Sequence, residues 1–132
     1  MNKEIVDEMS VKEAITFTLD KIVKQGGQCI GENSCMYGTP NGRHCIVGWL
    51  LDESNDMLME YEGDIIDLIQ DCHTDMPSLI VKEDTLFSLL QGFHDFTEKV
   101  SRRNKLKELK EHYPNYIDLR NPNWKKWIEL GE

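Results

Sequence analysis

Ser10-Val11-Lys12-Glu13-Ala14-Ile15-Thr16-Phe17-Thr18-Leu19-Asp20-Lys21-Ile22-Val23-Lys24-Gln25-Gly26-Gly27 is the stretch that decides the fold class. Val11, Ala14, Ile15, Leu19, Ile22 and Val23 recur at helical spacing and so line one face of a helix. Ser10 and Glu13 have the spacing of a capping box, in which each side chain accepts from the other's backbone N–H at a helix start. Gly26-Gly27 supplies the stop, because glycine turns left-handed without a Cβ clash. The reading is a helix over 11–25, preceded by a polar lead-in or one short turn over 1–9.

Working outward, Asp64 is placed to cap a helix that carries Ile65, Ile66, Leu68 and Ile69. Asp71 to Pro77 reads as a loop. Asp84 begins a second strong helix, with Leu86, Phe87, Leu89, Leu90, Phe93, Phe96 and Val100 facing inward. Ser101 starts another, with Leu106, Leu109 and Tyr113 on one side, and Pro114 breaks it. Asn121-Pro122 suits a helix start, and Trp124, Trp127 and Ile128 form the last apolar face. Residues 28–44 break this pattern. Thr39-Pro40-Asn41-Gly42 has the composition of a tight turn, and its flanks Cys35-Met36-Tyr37 and Arg43-His44-Cys45 are placed to pair. The apolar run from Ile46 to Leu51 is either a short buried helix or a strand, which periodicity does not decide at that length. The expected fold is mostly α (α+β): one compact domain over 1–132, with four to six helices and a short β-hairpin around residues 34–46.

Composition bounds the function. The chain has 132 residues with a net charge of −9, from 24 acidic and 15 basic side chains. That balance disfavours nucleic acid polymers and anionic membranes as partners. Apolar runs such as Trp49-Leu50-Leu51 fall far short of the ~20 residues that span a bilayer. The amphipathic start lacks the apolar core of a secretory signal, so the expected location is the cytoplasm, where Cys29, Cys35, Cys45 and Cys72 read as free thiols.

The segment from Cys35 to Gly48 carries the chemistry. It holds two thiols around a tight turn, Arg43-His44 beside the second thiol, and Gly48, which would let another element approach closely. Gln91, His94 and Asp95 follow much later, with Gln91 and His94 on one helix face. Cys35, Tyr37, Gly42, Cys45, Gly48 and Leu50, then Leu90, Gln91, His94 and Asp95, resemble the pattern of a group of small bacteriophage and prophage proteins. The resemblance spans about residues 11–100 and leaves the C-terminal third unmatched. It implies a phage origin and the host cytoplasm as setting. Small phage proteins of this kind often act on the host, for example against its immune systems.

The leading expectation is therefore a non-enzymatic, phage-encoded counter-defence protein. It would sequester a small signalling ligand, a nucleotide above all, or bind a host defence protein. The ligand residues would be Tyr37, Asn41, Arg43, His44, Trp49, Gln91 and His94, with aromatic rings stacking on a base and arginine meeting phosphate. One alternative is a hydrolase or transferase with Cys45 as nucleophile, His94 as base and Asp95 as orienter. Another is an acidic mimic of DNA built on Asp52, Glu53, Asp56, Glu60, Glu62, Asp64 and Asp67. Cys29, Cys35, Cys45, His44, Cys72 and His73 include the ligand types of zinc, but at spacings that match no C-x-x-C pattern, so no metal or cofactor is expected. Trp124 and Trp127 are candidate contacts of an exposed tail that assembles a homodimer.

Overall fold

The computed structural model describes residues 1–27, 37–39 and 42–131. Its helices are α1 (Lys3–Asp7), α2 (Val11–Gln25), α3 (Asp56–Met59), α4 (Ile65–Asp71), α5 (Ser78–Lys82), α6 (Asp84–Asp95), α7 (Lys99–His112) and α8 (Pro122–Glu129), with 3₁₀ turns at Gly48–Leu50 and His73–Asp75. No helix among them is long and apolar enough to cross a membrane.

Helix α2 forms where its capping box requires it. Glu13 N–H donates to the Ser10 hydroxyl and Ser10 N–H to the Glu13 carboxylate, both at 3.1 Å. Gly26 closes the helix in the left-handed conformation at φ 79°. Its buried face, Ala14, Ile15, Thr18, Leu19 and Ile22, packs on α8 and on the Gly48–Leu50 turn. Asp64 caps α4 by accepting from Asp67 N–H at 2.9 Å. Helix α6 packs on both α4 and α7, and buries Leu86, Phe87, Leu90, Phe93 and His94. Helix α1 packs on α5, whose Leu79 N–H is capped by Asp7 from α1 at 3.1 Å.

The expected β-hairpin is not formed, and the fold is all-helical: the described residues contain no strand. Positions 34–36, 40 and 41 of that hairpin lie outside the described residues. Around them, the backbone groups a ladder needs are taken by others. Gln25, the last residue of α2, accepts from His44 N–H at 2.8 Å and donates to His44 C=O at 2.9 Å. Gly38 N–H goes to Met59 C=O at 3.2 Å. What survives is the turn itself, with Gly42 N–H bonded to Thr39 C=O at 3.0 Å and Gly42 at φ 83°.

Other expectations shift in smaller ways. The apolar run after Cys45 is a 3₁₀ turn, neither strand nor α-helix. The loop from Asp71 to Pro77 contains the end of α4 and a 3₁₀ turn. Helix α6 ends at Asp95, so Phe96 and Val100 leave its inward stripe and are exposed. Helices α3 and α5 went unread because four or five residues make too little of a turn to show a 3.6 period. Trp124 and Trp127 do not form an exposed assembly tail. Both are buried, Trp127 fully, because α8 docks its apolar stripe on α2 and α7.

Candidate functional site

Gly48 sits against the Tyr37 carbonyl so closely that a Cβ there would overlap the oxygen and stand 2.8 Å from the carbon. This contact ties the two ends of the central motif together. Tyr37 is buried, and its hydroxyl donates to Gly63 C=O at 3.0 Å. On this frame Tyr37, Cys45, Ser88, Gln91 and Asp95 line one cavity of about 360 Å³, together with Gly63 to Ile66. Gln91 is held between elements: its amide oxygen accepts from Val47 N–H at 3.3 Å and its amide nitrogen donates to Asp95 at 3.0 Å.

The remaining ligand candidates are placed elsewhere. His44 is buried and faces a second cavity of about 380 Å³ whose rim carries Glu53, Asp56 and Glu60. Its Nδ1 lies 3.1 Å from Tyr37 C=O, and its Nε2 lies 3.5 Å from the Glu53 carboxylate. Trp49 packs edge-on against His44 with centroids 4.4 Å apart, and Lys21 lies 5.5 Å above the indole. Arg43 reaches back to α2. Its Nη1 donates to Gln25 C=O at 3.1 Å, at the C-terminal end of α2, where a cation is favourable. Asn41 lies outside the described residues.

The proposed nucleophile, base and orienter are not arranged as a relay. Cys45 is buried, with Gly48 N–H directed at its sulfur from 3.3 Å. Asp95 shares the cavity wall with Cys45, but His94 does not line that cavity. Its ring stacks on Trp127, with centroids 5.1 Å apart and planes 6° from parallel. Burial, helped by the charge of Arg102, pushes the imidazole from its ordinary 6.5 down to about 3. A base of that strength is poorly matched to chemistry near neutral pH. The same shift makes a stability prediction. Between pH 6.5 and 3 the unfolded chain binds a proton at this position that the folded chain refuses, so the contribution is complete above 6.5 and is lost as the pH falls. The expected loss is about 1.4 kcal/mol per pH unit inside that window. Urea unfolding followed from about pH 6.5 to 4.5 should show this slope in the wild type and a clearly smaller one in His94→Phe. Equal slopes would reject it.

Three members of the acidic run, Asp52, Asp56 and Asp64, sit at turns and helix starts. Asp52 accepts from the Ser54 N–H and hydroxyl, which holds its carboxyl below the usual range. Asn55 caps α3, Asp56 sits in the first turn of α3, and Asp64 caps α4. Among the described residues no three His, Cys, Asp or Glu side chains are grouped to hold a metal ion. Cys29 and Cys35 lie outside them. Cys72 is a buried free thiol whose pKa is raised by that burial. Sequence reasoning missed Asp64 and Ser88 on the cavity wall and Gln25 as the residue that holds the His44 backbone. A terminal helix glutamine and a helix-face serine leave no signal that distinguishes them from solvated positions. No protein-family model, characterised protein or solved structure matches this chain.

Proposed function

We propose that the chain is a phage-encoded host-interaction protein that binds a small ligand of the nucleotide class without transforming it. The supporting observation is the convergence of Tyr37, Cys45, Gln91 and Asp95 on one cavity of about 360 Å³. That size is within the range of small-molecule sites, roughly 300–1,000 Å³. Tyr37, Cys45, Ile65 and Ile66 give its wall apolar and aromatic surface, while Ser88, Gln91 and Asp95 add hydrogen-bonding groups. The acidic side chains on its wall, Asp64 and Asp95, are carboxylates. They repel phosphate and accept from amino groups, so a nucleobase enters the cavity and phosphates stay in solvent. The phage setting rests on the motif resemblance.

Thermal-shift titration with nucleosides, cyclic nucleotides and ADP-ribose-type nucleotides tests this reading. A ligand at a hundredfold excess over its Kd should stabilise the fold by about 2.7 kcal/mol. Ser88→Phe carries a ring into the cavity and should abolish the shift. The unliganded melt should change by no more than about 1 kcal/mol, since Ser88 is only half-buried. No shift across the panel, or a shift that Ser88→Phe leaves intact, would sink the proposal.

A further inference from the structure

Away from the motif, basic side chains gather around a pair of cavities on this acidic chain. Between the first turns of α2 and the segment leading into α8, two adjoining cavities of about 510 and 480 Å³ share Lys12, Asp118 and Arg120. Lys110 lines the second, so three cations face a single carboxylate on a chain of net charge −9. That carboxylate is already satisfied. Arg120 donates to Asp118 from Nε, Nη2 and its backbone N–H, each at 3.0 Å, which holds the Asp118 carboxyl down at about 2.

The other cations are not neutralised locally. Among the described residues, Lys12 and Lys110 have no carboxylate partner within ion-pair distance. Lys110 is aimed by two carbonyls, donating to Pro114 C=O at 3.0 Å and Ile117 C=O at 2.8 Å. Neighbouring acids on α2 are engaged elsewhere: Glu13 closes the capping box, and Asp20 pairs with Lys24 at 3.0 Å. Beside the cations stands an apolar and aromatic wall of Ile15, Tyr116 and Trp124. The Trp124 indole is fixed by its N–H donating to Asp118 C=O at 3.1 Å. Tyr116 is half-buried and stacks on Tyr113 with centroids 6.4 Å apart.

Cations next to an aromatic wall suit an anion that carries a flat ring. We propose that this double cavity is a second ligand site, specific for small organic phosphates, with the phosphate at Lys12 and at the Arg120 Nη1 that the Asp118 pair does not use, and the ring against Tyr116 beside the buried Trp124. It is independent of the Tyr37–Gln91 cavity, with which it shares no residue. Because its cations lie near the surface, binding weakens with salt.

The test is nuclear magnetic resonance titration of the full chain with AMP, adenosine and inorganic phosphate. AMP is expected to shift the Trp124 indole and the backbone amides of Lys12, Tyr116 and Arg120, with an affinity at least about tenfold above that of adenosine or phosphate at this site. The variant Lys12→Gln/Arg120→Gln should lose about tenfold or more of that affinity while its unliganded spectrum keeps the wild-type dispersion. Ser88→Phe should bind AMP here as the wild type does, so failure of the motif cavity is read separately. The proposal is overturned if AMP leaves the Trp124 indole unmoved, if adenosine matches AMP at these resonances, or if the double variant keeps its affinity.

Discussion

Gly48→Ala is expected to destabilise the fold by roughly 3 kcal/mol or more, at the upper end of what overpacking costs. The added methyl would overlap the Tyr37 carbonyl oxygen and approach His44 Cβ to 3.2 Å. Relief by a side-chain rotation is unavailable, since the obstacle is backbone. The backbone in turn has nowhere to go. Tyr37 C=O lies 3.1 Å from His44 Nδ1, the Tyr37 hydroxyl is held by Gly63, and Gly38 N–H is held by Met59. Gly26→Ala is the control. Its Cβ would meet open space, and the cost should be only the ~1 kcal/mol of a left-handed alanine at φ 79°. Urea unfolding of both variants at neutral pH decides the matter. If Gly48→Ala falls within about 1 kcal/mol of Gly26→Ala, the close approach of Tyr37 does not constrain the motif.

Arg102→Ala is expected to cost about 3–5 kcal/mol, combining two lost charge-assisted hydrogen bonds to carbonyls and the lost packing of the side-chain stem. Arg102 is 3% exposed, and its guanidinium joins three elements. From α7 it donates through Nε to Phe96 C=O at 2.7 Å, just past the end of α6, and through Nη1 to Trp127 C=O at 2.6 Å in α8. It also lies 4.4 Å from the Trp127 ring centroid, and that indole stacks in turn on His94. Arg102→Lys should recover little, because an ammonium lacks the planar fork that reaches both carbonyls while lying over a ring. Arg102→Met keeps apolar bulk, so the gap between the Met and Ala variants reads the packing part alone. In the Met variant His94 should also titrate higher, since Arg102's charge helps to depress it. A loss under about 1 kcal/mol for Arg102→Ala would mean that water replaces the guanidinium without strain.

The sequence determined, by itself, the helices that carry their own signals. The capping box at Ser10, the cap at Asp64, the Asn121-Pro122 start and the apolar stripe of α6 each act over one or two turns, and α2, α4, α6 and α8 stand where those signals put them. The demand for a small residue at Gly48 and the turn closed by Gly42 were legible for the same reason. Tertiary structure alone decided what happened between them. A hairpin around 34–46 was locally reasonable, but Gln25, 19 positions from His44, took the backbone groups that a ladder needed. The turn held, but strand pairing beyond it lost to a side chain delivered by the packing of α2. The candidate site divided for a related reason. Tyr37 and Gln91 share a cavity because α4 and α6 pack together, while His94, three residues from Gln91, turns to Trp127 because α8 docks there. The basic–aromatic site expected at the motif has its counterpart beside α8, assembled from Lys12 at one end of the chain and Arg120 at the other. Residues that distant meet only when helices pack, and no local spacing records which charges will face each other.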